Sequence, residues 1–191
     1  MARASGVAAT RRRILDSAIR ALFDGGATLD QVSRGAEVSV QTLLRHFSSR
    51  AELLAAAAAD AGSRVVDQRG NARVGDLGGS VKVLFIHYET YGDRMVQAVA
   101  REGQAPELGA GLTRARADHR RWVARTYRPF LDHRSEADRE RTLNALLAAT
   151  DVHLWKLLRR DLGLDRKEAE ATLSAMVAAV ARSAEAEAPA G

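Results

Sequence analysis

The chain has 191 residues, of which 46% are hydrophobic and 28% charged, and this balance excludes a disordered protein. It contains no cysteine, which excludes disulfides, thiolate metal sites and cysteine nucleophiles, and its 3 prolines leave helices favoured throughout. No apolar segment is long enough to cross a bilayer, and the first residues do not resemble a signal peptide, so we expect a cytoplasmic protein.

The net charge of +5 is concentrated near the N-terminus. Residues 1–50 hold eight arginines and four acidic residues, a net charge of +4, whereas the rest of the chain carries only +1. A basic segment of this kind indicates contact with a polyanion, although a solvated basic face without a partner would have the same composition.

Three short helices are predicted in the first 47 residues. Apolar residues at helical spacing predict the first helix over Thr10–Phe23. Thr28 and Gln31 have the spacing of a capping box and are expected to open the second. Ser39 is expected to cap a third helix over Val40–Phe47. Two helices joined by so tight a turn form a helix-turn-helix unit.

Five longer helices are predicted after this unit. Ser49 and Glu52 form a second capping box, and a glycine-rich linker is expected at residues 70–79. Helical spacing of apolar residues predicts helices over residues 50–69, 81–102, 112–130, 136–161 and 166–187. Asp151 and His153 stand two residues apart in the fourth of these and are expected to point in different directions. The sequence therefore predicts an all-α protein.

Residues 28–54, TLDQVSRGAEVSVQTLLRHFSSRAELL, resemble the DNA-binding segment of the TetR family of bacterial transcriptional regulators. The Thr-capped helix, the turn Ala36-x-Val38-Ser39 and the Ser-Ser-Arg before an acid and two leucines carry the resemblance. Two positions depart from the family pattern. Glu37 stands where glycine is usual, and Leu44 stands where tyrosine is common. A positive φ at Glu37 would cost about 1 kcal/mol.

The resemblance implies two domains. Residues 1–50 would form a three-helix DNA-binding domain with the helix-turn-helix, and residues 51–191 a helical bundle for ligand binding and dimerisation. Because residues near the start of a recognition helix reach base edges, the expected base contacts are Val40, Gln41, Thr42 and Leu44. The expected contacts to the DNA backbone are Thr28, Ser39, Arg45, His46 and Arg50. Two alternatives stay open: Gln41 is only an exposed helix residue, and His46 packs within the unit.

The C-terminal bundle is expected to hold two further sites. Aromatic and polarizable residues in the middle helices predict a mostly apolar ligand pocket, with candidates His87, Tyr88, Tyr91, Met95, Trp122, Phe130, His153 and Trp155. Apolar stripes on the last two helices predict a four-helix dimer interface, with candidates Leu147, Leu154, Leu173, Met176, Val177 and Val180. The alternative for both sets is that they form the core of their own domain.

The sequence thus predicts a homodimeric repressor that binds a palindromic operator in double-stranded DNA and is released by a small-molecule effector. A constitutive DNA-binding protein without an effector, an activator, and an enzyme with its site in the C-terminal bundle are the alternatives. The chain lacks a glycine-rich phosphate loop and a GxSxG elbow, and its five histidines have no metal-site spacing. We therefore expect no catalytic residue, no metal and no cofactor.

Overall fold

A computed structural model describes residues 2–24, 27–104 and 106–183, and every regular element in these ranges is helical. This confirms the all-α prediction. The helices are α1 (Ala2–Phe23), α2 (Leu29–Gly35), α3 (Val40–His46), α4 (Arg50–Arg69), α5 (Leu77–Ala100), α6 (Pro106–Thr126), α7 (Glu136–Ala149), α8 (Val152–Lys156) and α9 (Arg166–Arg182). None of them combines the length and the apolar character that a bilayer-spanning helix in the described part would need.

The chain divides into two compact units. The N-terminal unit comprises Met1–Val65 and Gln97–Thr113, and the C-terminal unit comprises Val66–Val96 and Arg114–Gly191. The N-terminal unit therefore continues past residue 50, the boundary expected from the sequence. The reason is that the first two turns of α4 supply Leu53 and Ala57 to its core.

The core of the N-terminal unit is built by the inward faces of four helices. Its fully buried members are Ile14, Ala18, Val32, Leu43, Phe47, Leu53 and Ala57. Arg64 on α4 binds Asp16 on α1 at 2.5 Å and Asp60 one turn earlier at 2.5 Å. These contacts fix α4 against α1 beside the core.

Several helix starts differ from the sequence prediction. The helix α1 begins at Ala2 and not at Thr10, because the alanine-rich residues before Thr10 favour continuation of the helix. The helix α5 begins inside the predicted linker, since Asp76 accepts a hydrogen bond from the Gly79 N–H at 2.8 Å. Proline is tolerated at the first helical position, and α6 begins at Pro106. The predicted continuation of the last helix over residues 184–187 lies outside the described residues.

Of the two hydrogen bonds predicted for the capping box at the start of α4, the structure contains one. Ser49 accepts a hydrogen bond from the Glu52 N–H at 3.1 Å, as expected. The Glu52 carboxylate, however, binds the backbone and the side chain of Ser48 and not the backbone of Ser49. These two hydrogen bonds hold the pKa of Glu52 below its usual value, so the carboxylate is ionised at neutral pH.

The prediction of a single helix over residues 136–161 is wrong, because α7 ends at Ala149 and a separate helix, α8, begins at Val152. The Thr150 hydroxyl donates to the Leu146 carbonyl at 2.7 Å, and Asp151 then caps α8 by accepting the His153 N–H at 2.8 Å. The helix continues into a π-helical turn over Leu157–Asp161. As a capping residue, Asp151 also reaches the His153 ring, with Oδ1 and Nδ1 2.7 Å apart. The prediction that these two side chains point apart is therefore also wrong.

The core of the C-terminal unit is rich in large side chains. It gathers residues from α5 to α9, and the largest fully buried ones are Trp155, Tyr127, Phe85, Leu84, Leu131, Leu146 and Leu173. Within this unit α7 packs against α9.

Candidate nucleic-acid interface

The turn between α2 and α3 has the geometry of a helix-turn-helix. Glu37 has a φ of 56°, the left-handed conformation that the sequence raised as a possibility. The Val38 N–H donates to the Ser33 carbonyl at 3.0 Å, and the Glu37 N–H donates to the Arg34 carbonyl at 3.2 Å. This pair of bonds is the Schellman motif, which ends a helix sharply and normally has glycine at the position of Glu37.

The predicted caps at the start of α2 and at the start of α3 are both confirmed. The Thr28 hydroxyl accepts the Gln31 N–H at 3.2 Å, and the Gln31 side chain accepts the Thr28 N–H at 3.1 Å. The Ser39 hydroxyl accepts the Thr42 N–H at 3.1 Å. The Thr28 hydroxyl also donates to Gln31, and the Ser39 hydroxyl donates to Thr42. A phosphate bond from either hydroxyl would therefore replace an existing hydrogen bond.

The short helix α3 buries one face and exposes the other. Leu43 and Phe47 are fully buried in the N-terminal unit. Because residues one and two positions away from Leu43 point to other sides of the helix, Gln41, Leu44 and Arg45 are exposed. Val40 and Thr42 are half-buried at the edges of this face. The four predicted base-contact residues thus lie together on α3, with Gln41 and Leu44 as the most exposed.

Two arginines hold the ends of α3 and α4. Arg50 donates from Nε to the Ala27 carbonyl at 2.9 Å, which anchors the start of α4 to the loop before α2. Arg11 donates to the His46 carbonyl at 3.1 Å, and its guanidinium lies 4.3 Å from the centre of the Phe47 ring. The sequence analysis did not assign Arg11 to this place, although a cation at the C-terminus of a helix is a common arrangement.

The remaining cations near α3 are exposed. Arg45 makes no hydrogen bond or ion pair within the described part of the chain, so its charge is available to a phosphate. His46 is half-buried. The region therefore presents an apolar and amide-bearing face flanked by positive charge, which suits a major groove lined by phosphates.

The predicted pocket residues fall into two groups. His87, Tyr88, Trp122 and Trp155 are buried in the C-terminal unit, and the Tyr88 and Trp155 rings lie 6.1 Å apart. Met95 and Phe130 pack on the edge of the same core, and Tyr91 is 38% exposed, with its ring 5.4 Å from that of His87. His153 is exposed and paired with Asp151, so the structure does not bring it to the others.

A polar network that the sequence analysis missed runs beside Tyr88 and Trp122. Arg69, only 5% exposed, donates to Nδ1 of His119 at 3.0 Å. His119 Nε2 lies 3.1 Å from the Thr150 hydroxyl, and the Tyr88 hydroxyl donates to the Thr150 carbonyl at 2.8 Å. These residues are 31 to 62 positions apart along the chain, which is why no local pattern could reveal them.

Burial and the positive charge of Arg69 control ionisation in this network. They lower the pKa of His87 to about 4 and that of His119 to about 3, so both imidazoles are neutral at physiological pH. Because arginine can only donate, Nδ1 of His119 must accept. Its Nε2 therefore carries the proton and donates to Thr150.

A second set of ionic contacts positions Trp155. Glu89 on α5 accepts from the Trp155 indole N–H at 2.9 Å and binds Arg159 at 2.7 Å. Arg160, which pairs with Asp93 at 2.8 Å, lies 4.7 Å from the centre of the Trp155 ring. The Arg159 hydrogen bonds, followed by the indole, hold the pKa of Glu89 below its usual value.

The predicted dimer residues separate by burial. Leu173 and Val177 are fully buried in the core of their own unit, so their side chains are not available to a partner. Leu147, Leu154 and Val180 are partly buried against that core, and Met176 is 40% exposed.

An open groove on the C-terminal unit involves none of the predicted pocket residues. It has a volume of about 610 Å³ and is lined by Lys82 and Ile86 of α5 and by residues of α9 that include Arg166 and Glu170.

Comparison with known proteins agrees with these features. Residues 14–57 match the family model described as bacterial regulatory proteins, tetR family. A transcriptional regulator from Rhodococcus sp. Rha1 superposes with a TM-score of 0.68 at 16% identity, covering 91% of this chain and 96% of that one. A candidate TetR-family transcriptional regulator from Mesorhizobium loti MAFF303099 gives 0.58 at 17% identity, covering 94% and 96%. At 16% and 17% identity, these superpositions show that the fold is shared and nothing more. Comparison with curated proteins returned no match.

Proposed function

We propose that this chain, whose residues 14–57 match the model of the tetR family of bacterial regulatory proteins, is a DNA-binding transcriptional regulator that represses transcription as a homodimer. The dimer binds a palindromic operator, because two copies of one recognition helix read two symmetric half-sites. A small-molecule effector in the C-terminal unit releases it by favouring a conformation in which the half-site spacing no longer fits. Its place of action is the cytoplasm, where the chromosome lies.

The observation that carries this proposal is the outward face of α3. The Gln41 amide can donate and accept at once, which is the pattern that adenine offers in the major groove. Leu44 and the methyl groups of Val40 and Thr42 give apolar contacts to thymine. Leu44 lacks a hydroxyl for a phosphate, so phosphate binding falls to the surrounding groups.

The proposed phosphate contacts come from charged side chains and from helix caps. Arg45 pairs with a phosphate directly. Arg50, whose Nε donates to the Ala27 carbonyl at the start of α4, is a further proposed phosphate contact. Thr28 and Ser39 exchange their internal bonds for phosphate bonds when DNA is present. His46 contributes when its half-buried ring is turned outward.

DNA binding is tested by selecting bound sequences from a random duplex library and titrating the operator obtained. We expect Gln41→Ala to weaken operator binding by about 1–3 kcal/mol while binding to unrelated DNA stays nearly unchanged. Equal losses on both DNAs would show that Gln41 reads no base.

The phosphate role of Arg45 is tested by salt dependence. We expect Arg45→Ala to weaken binding to all sequences and to reduce the slope of log K against log[salt] by about 0.9. Arg139→Ala removes an exposed arginine of α7 and serves as the matched control, with an unchanged slope. An unchanged slope in Arg45→Ala would remove this residue from the interface.

The proposed dimer uses the outer faces of α7 to α9. Its contacts are Met176 with the partly buried Leu147, Leu154 and Val180, since Leu173 and Val177 are committed to the protomer core. We expect Met176→Asp to sediment as a monomer with its helical content retained. A dimer of unchanged stability would place the interface elsewhere.

The effector is proposed to bind beside the aromatic residues of the C-terminal unit. Tyr88, Trp122 and Trp155 supply apolar walls there, and Tyr91 extends them toward the surface. An operator complex that no tested compound dissociates would favour the alternative of a constitutive DNA-binding protein.

A further inference from the structure

Arg69 is a buried cation whose hydrogen bonds are incomplete. It is the last residue of α4, it is 5% exposed, and its guanidinium has five N–H donors. One nitrogen donates to His119 at 3.0 Å and the Tyr88 hydroxyl also interacts with the guanidinium, while the buried Nε has no hydrogen-bond partner among the described residues. A buried polar atom without a partner is rare in folded proteins and calls for an explanation.

The surroundings of Arg69 contain dipoles in place of a negative charge. No carboxylate of the described residues lies within ion-pair distance of its guanidinium. Partial compensation comes from the His119 lone pair, from the Tyr88 hydroxyl, from the Trp122 ring with its centre 5.5 Å away, and from the C-terminus of α4. The Asp151 carboxylate is half-exposed and already caps α8 and binds His153. A buried charge is normally paired, because its removal from water costs several kcal/mol.

The side chains in contact with Arg69 carry no negative charge at neutral pH. His119 accepts a hydrogen bond from Arg69 at Nδ1 and donates one from Nε2 to Thr150, so its imidazole is neutral. His87 is 3% exposed, and its Nδ1 lies 3.1 Å from the Gln68 side-chain oxygen. His119 and Gln68 are themselves half-buried.

We propose that Arg69 is the anchor for an anionic group of the effector, and that the effector is an organic carboxylate with an aromatic or aliphatic body. The carboxylate pairs with the guanidinium from the side of the unpartnered Nε, and the rings of Trp122 and Tyr88 contact the apolar body. A monoanion is favoured over a phosphate monoester, since one guanidinium neutralises one negative charge and would leave the second uncompensated.

This inference rests on the proposed effector role of the C-terminal unit, and it is tested without DNA. The probes are benzoate, phenylacetate and decanoate, each paired with its primary amide, and phenyl phosphate. Binding to the full-length protein is measured by thermal unfolding and by tryptophan fluorescence. We expect at least one carboxylate to raise the unfolding midpoint more than its amide does, and phenyl phosphate to bind more weakly than the best carboxylate.

The variant that decides the role of Arg69 is Arg69→Met, which keeps an unbranched apolar stem and removes the charged guanidinium. We expect it to raise the Kd of the carboxylate about tenfold or more, which corresponds to the loss of a charge-assisted hydrogen bond, and to leave binding of the amide unchanged. A carboxylate effect that persists in Arg69→Met, or the absence of any carboxylate that outperforms its amide, would overturn the proposal.

A second measurement does not depend on the choice of probe. Because Arg69 has no carboxylate partner among the described residues, we expect Arg69→Met to unfold at the same urea concentration as the original chain or at a higher one. Arg134 is the matched control, since it binds the Phe130 carbonyl at 2.6 Å, Thr142 at 2.5 Å and the Ala181 carbonyl at 2.8 Å, and Arg134→Met is expected to lower the midpoint. An equal fall in both variants would make Arg69 a structural residue and overturn the proposal.

Operator release is assayed separately with the same carboxylates. A carboxylate that binds through Arg69 but does not dissociate the operator complex would contradict the regulatory role and leave the anionic site in place. An amide that releases the operator as well as its carboxylate would leave the regulatory role in place and overturn the anionic site.

Discussion

Glu37 occupies the position in the helix-turn-helix where a residue with a β-carbon is most strained. Its φ of 56° is imposed from both sides, because the Schellman bonds of Glu37 and Val38 end α2 and the Ser39 cap begins α3 two residues later. The left-handed conformation costs an L-residue about 1–2 kcal/mol, and glycine adopts it without this cost. Glycine also has a more flexible unfolded state, which returns about 0.5–1 kcal/mol. We therefore expect Glu37→Gly to stabilise the protein by about 0.5–1 kcal/mol.

The substitution also removes a negative charge from the DNA-facing turn, so a control must separate charge from backbone strain. Glu37→Gln removes the charge and keeps the β-carbon. Urea titrations measure the free energy of unfolding of both variants. We expect a higher unfolding midpoint in Glu37→Gly only, and a free energy of unfolding within about 0.5 kcal/mol of the original value in Glu37→Gln. In DNA titrations, we expect both variants to bind more tightly by similar factors, since each removes repulsion from nearby phosphates. A glycine variant no more stable than the glutamine variant would refute the strain argument.

Two further predictions concern the C-terminal unit. Since burial lowers the pKa of His87 to about 4 and of His119 to about 3, whereas the unfolded value is near 6.5, the unfolded chain takes up protons first and stability falls with pH between about 6.5 and 4. In urea titrations at a series of pH values, the free energy of unfolding should fall by up to about 2.7 kcal/mol per pH unit, and this slope should halve in His119→Gln. A free energy of unfolding that does not change with pH would contradict the burial of both rings. A β-carbon at Gly92 would lie 2.4 Å from the Trp155 ring, so Gly92→Ala should destabilise the protein by about 1–3 kcal/mol, while Gly62→Ala, in open space on α4, should not; calorimetry that ranks them equally would argue against this close contact.

The break after α7 shows why helical periodicity alone misplaced a helix boundary. Thr150 and Asp151 interrupt a run of apolar residues whose periodicity continues on both sides, so spacing alone predicted one long helix. The break is set by the Thr150 and Asp151 side chains that cap the two helices, and by distant partners such as His119 and Tyr88 that bind Thr150. The adjacent Thr150 and Asp151, both residue types that cap helices, were the available sign of a helix boundary. The prediction of one helix followed the apolar periodicity instead.

The dimer prediction illustrates a related limit. Leu173, Met176, Val177 and Val180 share a helical stripe, and spacing cannot tell a stripe that faces its own core from one that faces a partner. In the structure the stripe divides, with Leu173 and Val177 inward and Met176 at the surface. A helix that packs against several elements has apolar residues on more than one face. Which of these residues face the core of their own unit depends on the neighbouring elements and not on the spacing along the helix.

The features that could be predicted from sequence patterns are local: the caps at Thr28 and Ser39, the buried pair Leu43 and Phe47, and the strained turn at Glu37. Each depends on residues within about five positions, so composition and spacing suffice to specify it. The contact of Arg69 on α4 with His119 on α6, with no acidic partner among the described residues, could not be read from local patterns, because it depends on how helices distant in sequence pack together.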